Sequence, residues 1–196
     1  MKLSKKLEIS KVLYYFFQLL FTILRQNNKK FVFTSSPDFS DNAFAFFIYL
    51  DQNYVFKSVW LIDNIDDIGK YKKIIKNYAI KNDILFIKKK SLSGFYHYLT
   101  AKFVFSTHGL YRKFGRIKGH NTINLWHGMP IKNIENLDRN NNSIPDSSNM
   151  YIVTSKFYQE KFTKIFNVES NSIFVTGLPR NDFLINGKAD IKKILG

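Results

Sequence analysis

Cysteine is absent from all 196 residues, which excludes disulfides, thiolate zinc sites and cysteine nucleophiles together. Acidic side chains are scarce: 15 Asp and Glu stand against 30 Lys and Arg, a formal net charge of +15. Glycine is sparse, at 9 residues, and forms neither Gly-x-Gly-x-x-Gly nor Gly-Lys-Ser/Thr, so no glycine-rich loop is available to cradle a nucleotide phosphate. The four histidines, His97, His108, His120 and His127, have no paired metal-ligand spacing, and no metal site is expected. No apolar run reaches the ~20 residues needed to span a bilayer.

What is present describes a folded chain. Hydrophobic residues make up 45%, enough for the core of one α/β domain. The basic excess would attract polyanions, and one reading is therefore a basic nucleic-acid-binding α/β protein without catalysis. The lysines are scattered, however, and the longest basic run is Lys88-Lys89-Lys90. There is no RNA-binding aromatic motif and no helix-turn-helix pattern, so nucleic acid is not the expected partner.

Between Lys11 and Arg25 only Gln18 and Thr22 are neither aliphatic nor aromatic. On a helical wheel Lys11, Tyr14, Tyr15, Gln18, Thr22 and Arg25 share a stripe, and apolar residues fill the remainder. A wide apolar face with flanking lysines predicts a helix lying in a membrane interface, with an anionic membrane surface as partner. A helix packed on the chain's own core is the other reading. Residues 1–30 are accordingly set apart as an interface helix and basic linker.

From Phe31 the pattern alternates. Strands are expected at 31–34, 56–62, 84–87, 103–106, 123–126, 151–154 and 173–176. Helices are expected near 42–50, 68–78, 91–100 and 156–166, with Ser40, Asp41 or Asn42 as N-cap candidates for the first and Ser155 for the last. Seven short strands alternating with helices predict a Rossmann-like parallel sheet over residues 31–185.

In such a sheet ligands bind beyond the carboxyl ends of the strands. Asn124-Leu125-Trp126-His127-Gly128-Met129-Pro130-Ile131-Lys132 puts a histidine at a strand end, followed by a glycine and a proline. His127 has an ordinary pKa near ~6.5 and suits general-base work. Gly128 permits backbone angles and close approach that a side chain forbids. Other strand ends carry Thr107-His108-Gly109, the basic loop Arg112, Lys113, Arg116 and Lys118, the segment from Asp138 to the Asn140-Asn141-Asn142 run, and Arg180-Asn181-Asp182. His97 falls on a helix, and His120 is expected in an exposed loop with no active role.

Trp126-His127-Gly128-x-Pro130-x-Lys132, Tyr151-x-Val153-x-Ser155 and Gly177-x-Pro179-Arg180-Asn181-Asp182 together resemble the CDP-glycerol glycerophosphotransferases, the teichoic acid primases and polymerases and their capsule-associated relatives. Asp41-Asn42 ahead of a helix and the Val59-Trp60-Leu61 strand fit the same pattern, so the resemblance runs from about Phe31 to Leu184. It implies the acceptor-side, N-terminal half of a glycosyltransferase-B fold on the cytoplasmic face of the cell membrane, attached peripherally. It also implies transfer of a polyol phosphate from CDP-glycerol or CDP-ribitol to a lipid-linked or glycan acceptor, with no bound cofactor and with His127 as base. Asn42, His108, Trp126, Gly128, Lys132, Arg180 and Asp182 are the implied substrate-binding residues. Residues 186–196 would begin a linker toward a donor domain outside this chain, as in a truncated or split gene product, and the chain alone would be inactive.

Overall fold

The computed structural model describes residues 2–137 and 146–185. Asp138, the Asn140–Asn142 run and the expected linker 186–196 lie outside the described residues. Seven parallel strands form one sheet: β1 (Asn27–Thr34), β2 (Lys57–Ile62), β3 (Ile84–Lys88), β4 (Ala101–Ser106), β5 (Thr122–Asn124), β6 (Met150–Val153) and β7 (Ile173–Val175). Their spatial order is β3-β2-β1-β4-β5-β6-β7. The chain therefore reverses direction across the sheet between β1 and β4, where an open α/β sheet leaves a crevice at its carboxyl edge. The expected α/β, Rossmann-like parallel sheet is the one observed.

The sequence period explains the layers. Successive residues of β1 point to opposite faces, so Phe33 joins Trp60, Phe105, Leu125 and Ile152 under α2 (Asp41–Asn53) and α3 (Ile68–Ile75). Val32 joins Val59, Leu61 and Val104 on the other face, under α1 (Lys2–Ile23) and α4 (Leu92–Leu99). Tyr151, Val153 and Ile173 pack against Phe162, Ile165 and Phe166 of α5 (Lys156–Phe166). β2 is buried on both faces after its first residue, which is why it reads as the unbroken run Ser58-Val59-Trp60-Leu61-Ile62. A short α6 (Asn181–Ile185) follows β7. Beside it, the first face of the sheet carries an apolar trough of about 770 Å³, lined by Phe103, Ile123, Ile152, Phe174 and Phe183 among others.

One expectation is corrected, and the N-terminal helix packs partly on the chain's own core, the second of its two readings. Part of its polar stripe docks. Gln18 Nε2 donates to the Lys118 carbonyl at 3.3 Å, and the Lys118 N–H donates back to Gln18 Oε1 at 3.0 Å. This reciprocal pair satisfies the amide, so the stripe can dock, and Phe17 beside it is buried against Phe95 and Phe114. Val12, Tyr15, Phe16, Leu19 and Ile23 are left exposed on the same helix, at 52–69%. His120, expected in an exposed loop, is only 2% exposed. Its ring is wedged between Phe21 of α1 at 4.9 Å and Tyr98 of α4 at 4.7 Å, because the docked helix closes over the loop that carries it.

Strand boundaries differ more modestly. β1 starts at Asn27, so Lys29 and Lys30 belong to the sheet, and Lys30 is buried with its ammonium donating to Thr100 Oγ1. β5 ends at Asn124, two residues before Trp126, because Asn124 Oδ1 accepts the Trp126 N–H at 2.8 Å. That side chain mimics a turn and stops the ladder, and Trp126 takes the left-handed conformation with φ of 54°.

Candidate functional site

The carboxyl end of β5 and the loop after β7 are tied to the start of α2 by Asn42. Its side chain is fully buried. The amide nitrogen donates to the carbonyls of Leu125 and Trp126 at 3.2 and 2.9 Å, and the oxygen accepts the Arg180 N–H at 3.1 Å. Asn42 is thus occupied holding two loops against the start of α2. Next to it Asp41 accepts a 2.7 Å ion pair from Arg180 Nη1. Gly128, with φ of 151°, faces the same guanidinium: a Cβ there would stand 3.6 Å from Arg180 Nη2. The positive φ, not lack of space, is what asks for glycine at this position.

His127 emerges at the centre of this arrangement. Its ring stacks on His108 with centroids 4.1 Å apart and planes 11° from parallel, and on Trp126 at 4.6 Å and 23°. Trp126 is buried and packs edge-on to Phe162 and Phe166. His127 itself remains exposed to solvent. His108 is anchored through Nδ1 to Thr107 Oγ1 at 2.8 Å, and the Thr107 oxygen also accepts the Ser36 N–H at 3.3 Å. Arg112 donates to the His108 carbonyl at 2.7 Å and to Glu135 Oε1 at 2.9 Å.

The electrostatics favour neutral rings. Loss of solvent lowers the His127 pKa below its ordinary value; Asp41 pulls it upward, while Arg180 and Arg112 lower it further. Loss of solvent, and after it the His127 ring, lower His108 to about 4 against the pull of Asp41. A neutral imidazole beside cations at a strand end can accept a proton from a hydroxyl while the cations attract phosphate.

Of the residues singled out from sequence, Asn42, His108, Trp126, His127, Gly128 and Arg180 converge here. Lys132 lies on the exposed loop beyond Pro130 and makes no hydrogen bond or ion pair with this cluster among the described residues. Asp182, in the first turn of α6, borders the apolar trough instead. Sequence reasoning did not single out Asp41, Thr107, Asn124 or Arg112 for the site. Asp41 and Asn124 each sit in a stretch already marked, but their bonds to Arg180 and to the Trp126 N–H need the folded chain to be seen. Among the described residues no three His, Asp or Glu side chains group as a metal-ligand set.

Residues 13–196 match the family model described as CDP-Glycerol:Poly(glycerophosphate) glycerophosphotransferase. The chain belongs to this family. A teichoic acid poly(glycerol phosphate) polymerase from Bacillus spizizenii is 26% identical over 181 residues, which is 83% of this chain and 43% of that protein. The wall teichoic acid polymerase TagF superposes with a TM-score of 0.69 at 19% identity, covering 89% of this chain and 45% of TagF. A histidine-to-asparagine variant of TagF soaked with CDPG gives the same score, over 92% of this chain and 47% of the variant. This chain therefore spans less than half the length of the relatives it matches.

Proposed function

We propose that this chain supplies the acceptor-side half of a CDP-glycerol-dependent glycerophosphotransferase of glycosyltransferase-B architecture, with His127 as its general base. The acceptor hydroxyl oxygen attacks the β-phosphorus of CDP-glycerol. The bond from that phosphorus to the bridging oxygen breaks, CMP leaves with the electron pair, and the hydroxyl proton passes to a ring nitrogen of His127. The observation that carries this reading is His127 itself: an exposed imidazole at the sheet's carboxyl edge, held below its ordinary pKa among Arg180, Arg112 and Asp41. Family membership supports the donor class, and the CDPG soak of TagF supports it for that relative. Arg180 and Gly128 line the approach to the base, Asn42 and Trp126 hold it in place, and residues gripping the donor come from a second half on the same chain or another.

The acceptor is a lipid-linked or glycan chain, and the cytoplasmic membrane face is where it would be met. No helix among the described residues is long and apolar enough to cross a membrane. The exposed Val12, Tyr15, Phe16, Leu19 and Ile23 face of α1, with Arg25 and Lys118 exposed beside the same helix, supports peripheral attachment to anionic lipid. The test is label transfer from CDP-glycerol to a glycerophosphate-primed lipid, using this chain with a donor half from a related polymerase. Label should reach the acceptor only when both halves are present. No label with both halves present and correctly folded would count against the reading.

A further inference from the structure

We infer that His108 is a positioning residue for His127: its ring and that of Trp126 clamp the His127 imidazole from both faces, leaving only the ring edge for an incoming hydroxyl. The inference deepens the reading of His127 as base and rests on it. The ring geometry requires the two-sided arrangement. Rings 4.1 and 4.6 Å from one imidazole centroid and within 11° and 23° of its plane cannot share one face without overlapping each other. Rotation of His127 about its Cβ–Cγ bond would drive its edge into one plate or the other.

Each plate is fixed independently. Trp126 is held by the Asn124 side chain at its N–H, by Asn42 at its carbonyl, and by Phe162 and Phe166 at its ring. His108 is held by Thr107 Oγ1 at Nδ1 and by Arg112 at its carbonyl. Thr107 is fully buried and reaches the loop after β1 through the Ser36 N–H. The clamp therefore spans the loops after β1, β4 and β5, the strand ends around the crevice. A general base must meet its proton at hydrogen-bond distance and angle, and a ring fixed in one plane before substrate arrives meets that need without reorganisation.

The clamp also sets the charge state. The plate excludes water that would stabilise the His127 imidazolium, and any flat ring in its place would do the same. The other groups facing the pair are Asp41, Arg180, Arg112 and Lys89, with Glu135 paired to Arg112. Removing the plate should let the His127 pKa rise, with those charges unchanged.

The test is a pH titration of this chain by NMR, with labelled histidine, comparing the parent, His108→Ala and His108→Phe. Ring-current shielding of the His127 carbon-bound protons reports the plate, and the titration midpoint reports its effect on charge. His108→Ala is expected to lose shielding and to raise the His127 midpoint toward its ordinary value. His108→Phe, with a larger flat ring, is expected to increase the shielding and keep the midpoint low. If His108→Ala fails to fold, seen as movement of the buried His120 resonances, His108→Phe against parent decides alone. His127 shielding and midpoint unchanged in the folded variant would overturn the clamp. These readouts involve no substrate, so they stand or fall apart from the transferase reading.

Discussion

Asp41 and Arg180 are separated by 139 positions in the chain, yet their carboxylate and guanidinium meet at 2.7 Å. The pair joins the start of α2 to the loop after β7 across the mouth of the site. It is partly exposed, so its contribution to stability is about 0–1 kcal/mol. Its effect on His127 is more telling. Arg180 lowers the His127 pKa and Asp41 raises it. Arg180→Ala should therefore move the His127 titration up, and Asp41→Asn should move it down. Histidine NMR across pH 4–8 would show both directions, and shifts of the same sign in both variants would contradict this charge arrangement.

Asn42 should matter more for stability than any charged residue of the site. Removing its side chain strands two buried carbonyls and leaves the Arg180 N–H without its acceptor. Asn42→Ala is expected to cost about 2–3 kcal/mol, read as a lower urea midpoint with an unchanged slope. Asn42→Asp should be no better, because a carboxylate would face two carbonyl oxygens. A cost near zero would mean that the network is not formed in solution.

His120 makes an acid-sensitive weak point. Neither ring nitrogen makes a hydrogen bond of ordinary geometry, and burial lowers its pKa to about 4 against a weaker upward pull from the Tyr98 backbone. The unfolded chain binds the proton near pH 6.5 and the folded chain near 4, so between these values the unfolded state holds more protons and folding weakens as pH falls. The loss from this group is on the order of 3 kcal/mol across that window. His120→Leu should flatten that part of the pH dependence, seen as urea midpoints at pH 7.5 and 4.5 that differ less than in the parent. An equally steep acid loss would show that His120 is not its source.

The exposed face of α1 offers a test that spares the fold. Deleting the helix would remove Phe17 from the core, whereas Phe16 and Leu19 are exposed at 52% and 57%. Phe16→Gln with Leu19→Gln should reduce co-sedimentation with anionic vesicles several-fold, given the apolar burial lost at each position. The melting temperature should stay within a degree or two of the parent's. Unchanged vesicle binding would take this face out of membrane attachment.

These contrasts show what the sequence can carry. The short apolar runs Phe31-Val32-Phe33 and Val59-Trp60-Leu61 named strands of the sheet, because such runs report local burial. The Trp126-His127-Gly128 break named the strand end where His127 stands. Of the two readings of α1 the sequence alone settled neither, because Gln18 finds its partner 100 residues away, at Lys118. His120 was misjudged for the same reason: what buries it is α1, and nothing near His120 in the chain announces that. Asn42 was marked as an implied substrate-binding residue, and its part in tying the loops was not legible because its partners lie 83 to 138 residues along. Long-range polar contacts leave no local period.

The central claim is that His127 takes the acceptor proton. The most direct measurement is the initial rate of glycerophosphate transfer by this chain with a related donor half, comparing the parent, His127→Asn and His97→Asn. His97 lies on α4, away from the strand ends that form the site. The account predicts a loss of about 100-fold or more in His127→Asn, within the range for removing a general base, and little change in His97→Asn. A His127→Asn rate equal to the parent's would contradict it.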